Sequence, residues 1–341
     1  MTENKKTLSK TTNMVVNPDT FHVNGLLYYY DNNNFERLPN SLSFDEGVSN
    51  LQKHSSGAYI DFTTNSSSIG VKVKLANKSY MPHMRATGTI GLDLYVLYEG
   101  KYIFMGTSKI DAKEFTYEFL RGISKVYKDY RLYLPIYMEI LELEIIIDKT
   151  AKIRQSEIKD QPKIICYGTS ITQGGCATRP AMSYSSILGR LLPEYDVYNL
   201  GFSGNAHLQE EVSEVISDIP NMEILIMEVE ANAGDESGML INRLEDFVKT
   251  ILDKNPNLKI YLISHYPYTM TLFKPTVKAK VLKHKVFQKE ICNKYKNNMV
   301  FIDGEEILSE LGYDETVDLI HLTDLGFYHL AKALEKIISK K

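Results

Sequence analysis

A serine, a histidine and an aspartate stand where they could form a proton-transfer chain. Ser170 follows the short apolar run 164–167 and Gly168, while Asp318 and His321 lie three residues apart near the carboxyl terminus. A serine hydroxyl becomes a useful nucleophile only with a base in hydrogen-bonding reach and a third group that orients the base. Asp318 would hold the Nδ1 proton of His321, so that Nε2 can take the proton of Ser170. The pattern predicts nucleophilic catalysis by Ser170.

Acyl transfer also needs hydrogen-bond donors for the oxyanion of the tetrahedral intermediate. Gly204 can bring its backbone amide close because it has no side chain in the way. Asn232 can aim a side-chain amide at the same point, and the amide of Ser170 would complete the set. The sequence therefore predicts an oxyanion hole made by Ser170, Gly204 and Asn232.

Each of these motifs taken alone also suits a purely structural role. Residues 168–170 could be a strand-to-helix turn with a serine N-cap. Residues 203–205 and Asn232 could be ordinary turn or cap residues, and Asp318 could cap locally beside an incidental His321. Their order along the chain favours the catalytic interpretation.

The elements that must position these residues alternate in the carboxyl-terminal half. Strand-like runs occupy 164–167, 196–200, 223–229, 258–264 and 299–303. Helical spacing occupies 181–192, 206–218, 237–254, 276–296 and 324–339. This alternation predicts a parallel sheet covered on both faces. Right-handed crossovers place the carboxyl ends of all the strands on one rim, where the candidate residues would meet.

The amino-terminal half has a period of two instead. Alternating segments at 58–63, 69–75, 92–98 and 141–147 are separated by turn residues. Such short strands predict an antiparallel sandwich. We divide the chain into a polar arm (1–20), a β-sandwich domain (21–150), a linker (151–163) and a catalytic domain (164–341).

The catalytic half resembles the SGNH (GDSL-like) hydrolases, a family of three-layer α/β/α serine esterases. Residues 168–174, Gly-Thr-Ser-Ile-Thr-Gln-Gly, match the nucleophile block, with Thr169 where the family name has aspartate. Residues 199–205 match the second block, and Asp318 and His321 match the last. The third block reads Glu-Ala-Asn-Ala at 230–233, where the usual pattern is Gly-x-Asn-Asp, so only Asn232 is kept.

The amino-terminal half strengthens the resemblance. Residues 91–95, Gly-Leu-Asp-Leu-Tyr, resemble the signature of the β-domain that precedes one SGNH subfamily. The resemblance implies a flavodoxin-like α/β/α domain with a five-stranded parallel sheet, after a jelly-roll-like β-sandwich. It also implies ester hydrolysis or acyl transfer on sugars, lipids or aryl alcohols.

Other polar residues near the predicted rim are candidates for lining the substrate site. They are Arg179, Tyr184, His207, Glu230 and His265. Glu228 and Glu230 are two residues apart and would face one side of a strand. A glycosidase would require paired carboxylates, but no other feature supports one, and one of the two could instead tune the ester site.

Composition excludes several other classes of function. A net charge of −4 gives no electrostatic basis for binding nucleic acid or an anionic membrane. No apolar run is long enough to span a bilayer, and metal-ligand spacings are missing, so we expect neither a metal nor another cofactor. The three cysteines predict no disulfide framework. The polar amino terminus predicts no secretory signal, which favours a cytoplasmic protein.

We therefore predict a cofactor-independent serine ester hydrolase that acts on a short-chain acyl or acetyl ester of a small molecule or carbohydrate. Two alternatives stay open. One is an acyltransferase with the same triad. The other is a glycan-binding protein with a vestigial catalytic half, which the departures at Thr169, Glu230 and Ala233 keep open. The sequence does not assign an oligomeric state.

Overall fold

The computed structural model of the chain describes residues 11–157, 160–234, 237–308 and 312–340. Contacts divide these residues into two compact units. The described residues of the first unit lie within Met1–Pro39, Lys53–Lys159 and Arg179–Ala181. Those of the second lie within Asn40–Gln52, Asp160–Thr178 and Met182–Lys341.

The first unit is a sandwich of two antiparallel sheets. Its strands are β1 (Thr11–Val15), β2 (Tyr59–Thr64), β3 (Ser68–Leu75), β4 (Asp93–Tyr98), β5 (Lys101–Thr107), β6 (Glu114–Arg121), β7 (Lys128–Tyr133), β8 (Ile140–Asp148) and β9 (Ile153–Gln155). One sheet has the order β1-β8-β3-β6 and the other the order β5-β4-β7-β2-β9. The described residues of this half of the sequence also form the short helices α1 (Tyr29–Asn32), α2 (Glu46–Leu51), which belongs to the second unit, and α3 (Ala86–Thr89).

Alternation along the strands explains why the sheets face each other. In β3, Val71 and Val73 are buried, and they join Ile60 of β2 and Leu132 of β7 in a single apolar cluster. The opposite face is charged, and Lys72 pairs there with Glu144 of β8 at 3.0 Å. A buried face and a charged face on β3 are what a period of two produces.

Two segments of this unit differ from the sequence-based expectation. Thr11–Val15 forms β1 by pairing with β8, although we predicted a loose arm over 1–20; residues 1–10 lie outside the described part. Ile153–Gln155 forms β9 by pairing with β2, within the predicted linker. Both segments satisfy backbone groups at sheet edges, a tertiary effect that their polar composition does not reveal.

The second unit is built on a parallel sheet, as predicted. Its strands are β10 (Lys163–Gly168), β11 (Asp196–Gly201), β12 (Met222–Glu228), β13 (Lys259–Ile263) and β14 (Met299–Ile302), in the order β11-β10-β12-β13-β14. Every residue of β10 is buried, as expected of a strand covered on both faces. The strand order reverses at β10, so its carboxyl end opens into the crevice where such sheets bind ligands.

Helices alternate with these strands and cover the sheet. They are α4 (Ser170–Gln173), α5 (Tyr184–Leu191), α6 (Glu210–Ser217), α7 (Glu230–Ala233), α8 (Met239–Lys254), α9 (Met270–Phe273), α10 (Pro275–Lys294), α11 (Gly304–Ile307) and α12 (Asp324–Ile338). Helix α12 packs on α5, and α8 packs on both α6 and α10. The prediction of a three-layer α/β/α domain after a β-sandwich is confirmed. Among the helices that the structure describes, none combines the length and apolarity needed to cross a membrane.

Candidate active site

The turn after β10 presents Ser170. Thr169 is the N-cap of α4, and its hydroxyl accepts a hydrogen bond from the amide of Ile171 at 3.2 Å. Ser170 is the first residue of that helical turn and is 7% exposed. The strand can turn this tightly because Gly168 has no side chain: a Cβ there would lie 2.3 Å from Thr172 Oγ1 and 2.4 Å from the carbonyl oxygen of Glu228.

A second loop, residues 315–323, carries Asp318 and His321. An antiparallel bridge between Thr316 and Leu322 closes its base. One oxygen of Asp318, Oδ1, accepts hydrogen bonds from the amides of Ile320 at 3.2 Å and His321 at 2.8 Å. The backbone between Asp318 and His321 passes through the left-handed region at Leu319, whose φ is +76°. This tight turn lets a carboxylate and an imidazole three residues apart face each other.

Two further contacts anchor this loop. The buried Glu315 carboxylate lies 2.9 Å from Nδ1 of His329 on α12. Asp324, the first residue of α12, accepts a hydrogen bond from the amide of Thr178 at 2.9 Å and another from the Thr178 hydroxyl. Since Thr178 follows the nucleophile turn in the chain, the Asp324 contact joins the segments that carry Ser170 and His321.

The two loops bring the three predicted residues together. His321 Nδ1 lies 2.7 Å from Asp318 Oδ2, and His321 Nε2 lies 2.8 Å from Ser170 Oγ. Partial burial acts to raise the pKa of Asp318, but hydrogen bonds from the His321 amide and ring outweigh burial and leave that pKa below its usual value. An ionised Asp318 favours the tautomer with its proton on Nδ1. In that tautomer Nε2 accepts the hydrogen bond from Ser170.

The predicted oxyanion donors lie on neighbouring loops of the same unit. Gly204 has a φ of +70°, a conformation that glycine adopts without strain. The side-chain oxygen of Asn232, on α7, accepts a hydrogen bond from the amide of Ala206 at 3.3 Å. Gln173 on α4 accepts one from the amide of Ser203 at 2.9 Å. These contacts hold the second-block loop between α4 and α7 and orient the NH2 group of Asn232.

Two of the predicted substrate-lining residues have their polar groups engaged by other side chains of their own units. The guanidinium of Arg179 lies within the first unit, bonded to Asp93 at 2.9 Å and to the Tyr95 hydroxyl at 2.6 Å. Tyr184 is wholly buried, and its hydroxyl lies 3.2 Å from Thr172 Oγ1. The expectation for Tyr184 is wrong because α5 packs this side chain into the interior.

The remaining candidates differ in exposure. His207 is half-buried, and its carbonyl accepts a hydrogen bond from Arg243 at 3.1 Å. Glu230 is buried rather than lining, with Oε2 bonded to the amide of His265 at 3.0 Å and to Gln288 at 2.7 Å. It opens the helical turn α7, so the expectation that Glu228 and Glu230 share one face of a strand is also wrong.

His265 does line a small cleft beside the triad. The cleft has a free volume of about 10 Å³ and is lined by Ile171, Glu228, Ala231, His265, Tyr266, Pro267, Leu319 and Ile320. It adjoins the triad because Ile171 follows Ser170, and Leu319 and Ile320 lie between Asp318 and His321. Apolar side chains dominate its wall.

The sequence did not predict that Glu228 contacts the turn that carries the nucleophile. Glu228 ends β12, and its buried carboxylate accepts a hydrogen bond from the Thr169 hydroxyl at 2.7 Å. Burial raises the pKa of Glu228 to about 7, although hydrogen bonds from Thr169 and Thr172 act in the opposite direction. The only signal in the sequence was a carboxylate at the end of a strand next to β10, which does not specify a partner.

A doubly wound sheet that brings serine, histidine and aspartate together at the switch point has the arrangement used by serine hydrolases. Residues 161–339 match the model of the GDSL-like lipase/acylhydrolase family. Residues 14–153 match the GxDLY model, described as the N-terminus of SGNH-hydrolase-type esterases. The chain belongs to the GDSL-like lipase/acylhydrolase family.

Solved structures with the same fold extend over nearly the whole chain. A protein from Bacteroides ovatus ATCC 8483 assigned as a GDSL-like lipase is 30% identical, with a TM-score of 0.86 over 96% of this chain and 98% of its own. A salicylyl-acyltransferase from a tetracycline biosynthetic pathway is 20% identical, with a TM-score of 0.78 over 96% and 97%. A family two carbohydrate esterase from Cellvibrio japonicus is 13% identical, with a TM-score of 0.61 over 97% and 98%. A comparison with curated proteins gave no match.

Proposed function

We propose that this chain is a carboxylic ester hydrolase whose nucleophile is Ser170. The observation that carries the proposal is the unbroken path of contacts from Asp318 through His321 to Ser170, with distances of 2.7 and 2.8 Å. Both distances are short enough for proton transfer along the path. The same residues match the nucleophile and last blocks of the family to which the chain belongs.

The reaction begins when Ser170 Oγ attacks the acyl carbonyl carbon while its proton passes to His321 Nε2. Asp318 stabilises the imidazolium, and the amides of Ser170 and Gly204, with the side chain of Asn232, receive the oxyanion. His321 gives its proton to the departing alkoxide, and the alcohol leaves. Water, deprotonated by His321, then attacks the acyl-enzyme and releases the acid and Ser170 Oγ–H.

The cleft beside the triad supports a short acyl group. Its free volume of about 10 Å³ corresponds to about one water molecule, and apolar side chains dominate its wall. An acetyl or similarly short acyl group would bury its methyl end there. Because a carbohydrate esterase shares this fold, acetylated sugars are the first natural-type esters to test, beside aryl esters.

The decisive experiment replaces Ser170 with alanine. We expect Ser170→Ala to lower turnover of an aryl acetate by about 10⁴-fold or more, because the covalent route is lost. A fluorophosphonate probe should label the parent protein at Ser170 and leave the variant unlabelled, while circular dichroism shows that both are folded. Equal turnover in the two proteins would remove the mechanism, and a parent protein that does not label would favour the vestigial alternative.

A matched series of aryl esters tests the acyl-length assignment. We expect kcat/KM to fall at least tenfold from acetyl to octanoyl, since the longer chain exceeds the cleft. A preference for octanoyl would overturn the short-chain assignment and leave the triad in place.

Acyl transfer is the second candidate, because an acyltransferase shares this fold and Ser170 chemistry is the same until the acyl-enzyme forms. Adding an alcohol or a sugar during turnover measures how the acyl-enzyme partitions. Products formed mainly by transfer at millimolar acceptor concentration would assign transferase activity, whereas hydrolysis alone would support the esterase. We also propose a cytoplasmic location, which fractionation of the source cells would test.

A further inference from the structure

We propose that Glu228 is a positioning residue that holds the turn of the nucleophile and thereby fixes the direction of the Ser170 hydroxyl. This inference rests on the proposed function of Ser170. It assigns a role in the reaction to a buried carboxyl group outside the triad and the oxyanion hole.

The contacts of Glu228 lie on both sides of Ser170. Its Oε2 accepts hydrogen bonds from the Thr169 hydroxyl at 2.7 Å and from the Thr169 amide at 3.3 Å. The same oxygen lies 3.3 Å from the Thr172 hydroxyl, and the carbonyl of Glu228 accepts from the Thr169 amide at 3.1 Å. A single side chain therefore links the residue before the nucleophile to a residue two positions after it.

Thr169 transmits this constraint to the serine backbone. While its hydroxyl donates to Glu228, the same oxygen accepts from the amide of Ile171. Ser170 lies between the two ends of this link, so its φ, ψ and the direction of its Cα–Cβ bond are fixed. Errors of about 1 Å in the position of a reacting group can cost on the order of 100-fold in rate.

The buried position of the Glu228 carboxyl group costs free energy, which argues that the group has a role beyond packing. Its side chain is 3% exposed, and the described groups whose charges act on it are Glu230, Tyr184 and Tyr266, none of which is a cation. His265 lines the same cleft. Burying a carboxyl group without a cation costs free energy that an apolar side chain at this position would avoid. The hydrogen bonds from Thr169 and Thr172 offset part of this cost, and they hold the nucleophile turn.

The family motif adds a second, independent observation. Its name places aspartate directly before the nucleophile, where this chain has Thr169. Here a carboxyl group reaches that position from the neighbouring strand, through the threonine hydroxyl. Thr169 and Glu228 thus form one functional pair, and the departure at Thr169 does not mark a decayed site.

The test uses Thr169→Val, which removes the hydroxyl at nearly constant shape and leaves the lining of the cleft unchanged. We expect kcat for an aryl acetate to fall about 10- to 100-fold with KM within twofold, and the rate of fluorophosphonate labelling at Ser170 to fall in parallel. Thr169→Ser, which keeps the hydroxyl, should recover kcat to within about threefold of the parent value. Glu223→Gln, on the exposed end of β12, is the matched control and should leave both rates unchanged.

Glu228 itself is tested with two variants and a double variant. Glu228→Gln keeps an acceptor oxygen and should retain kcat within a few-fold, whereas Glu228→Ala should match Thr169→Val. Either single change breaks the same hydrogen bond, so the two losses should not multiply. The kcat of the double variant Thr169→Val/Glu228→Ala should be at least about half that of the slower single variant. If Glu228→Ala fails to fold, the threonine pair of variants still decides the question.

Two results would overturn the inference. Parent-like kcat and labelling in Thr169→Val, or losses that multiply in the double variant, would show that the pair does not position Ser170, although the esterase proposal would stand. A parent protein with neither labelling nor turnover would remove the esterase proposal and this inference together.

Discussion

The loops that meet at the serine–histidine contact are built in opposite ways. The nucleophile turn follows β10, which has a neighbouring strand on each side, and residues 168–173 are all buried. The loop that carries the base His321, residues 315–323 (the base loop), lies outside the sheet. Its side chains Val317, Leu319 and Ile320 are 47%, 41% and 42% exposed. The nucleophile is therefore fixed by the core of the fold, while the base is fixed by hydrogen bonds within its loop and between that loop and α12. Substitutions should affect stability in the first loop and mainly catalysis in the second.

The largest expected effect is a loss of activity without loss of stability in the base loop. His321→Ala should lower kcat/KM by about 10⁴-fold, which corresponds to about 5 kcal/mol of transition-state stabilisation. The melting temperature should change by less than about 3 °C, because His321 lies in a surface loop whose side chains Leu319 and Ile320 are 41% and 42% exposed. Steady-state kinetics and calorimetry check the two parts, and a large drop in melting temperature would contradict the proposed independence of this loop.

The second effect concerns pH and the nucleophile turn. The pKa of Glu228 is about 7 in the folded chain against an ordinary value of 4.5, and burial is the main cause. The unfolded chain thus releases this proton first, so the free energy of unfolding should fall as the pH rises from about 4.5 to 7 and then level off. The full effect is roughly 3 kcal/mol.

Denaturant titrations of the parent protein and of Glu228→Gln measure this contribution. The glutamine cannot ionise, so the decrease between pH 4.5 and 7.5 should be smaller in the variant by about 2–3 kcal/mol. The shifted Asp318 titrates in both proteins and cancels in the comparison. Identical pH dependence in the two proteins would show that Glu228 keeps an ordinary pKa.

The third effect is steric and again belongs to the nucleophile turn. Gly168→Ala would force a methyl group to within 2.4 Å of a backbone oxygen, so we expect the free energy of unfolding to fall by about 2 kcal/mol. Gly189→Ala is the control, because its Cβ would make an ordinary contact of 3.5 Å with Val197. Equal stability of the two variants would mean that the turn is less tightly packed than the structure indicates.

The smallest effect is expected at the one strained residue of the base loop that lies between Asp318 and His321. Leu319→Gly relieves the left-handed conformation, whose φ is +76°, but glycine also makes the unfolded chain more flexible. The free energy of unfolding should therefore change by less than about 1 kcal/mol. Thermal denaturation measures the change, and a loss above 2 kcal/mol would assign this loop a larger part in the stability of the fold.

The sequence was most informative where pattern and packing agree. Strands β10 to β14 are short apolar runs between helical segments. The predicted end of each strand differs from the observed end by no more than one residue. The candidate triad could also be proposed, because its members lie in short motifs whose spacing has a chemical reason. The structure brings Ser170 and His321 together across 151 positions of sequence, which only the order of the strands could suggest.

The contacts that support the site were not predictable to the same degree. Glu228 and the pair formed by Glu315 and His329 act through partners that are distant in sequence or on another element. Nothing in their local pattern distinguishes them from ordinary polar residues. Similarly, Thr11–Val15 forms a strand because an edge of β8 is open to it. The sequence of the segment itself does not predict this pairing.

The contact between Asp324 and Thr178 limits how this chain can vary in length. Asp324 begins the last helix three residues after His321, and it also holds the segment that follows the nucleophile. An inserted or deleted residue between 321 and 324 would have to break this contact or shift the imidazole away from the serine. Changes of substrate preference by loop lengthening should therefore be confined to other rim segments, and grafted or shuffled versions of this domain should keep that three-residue interval.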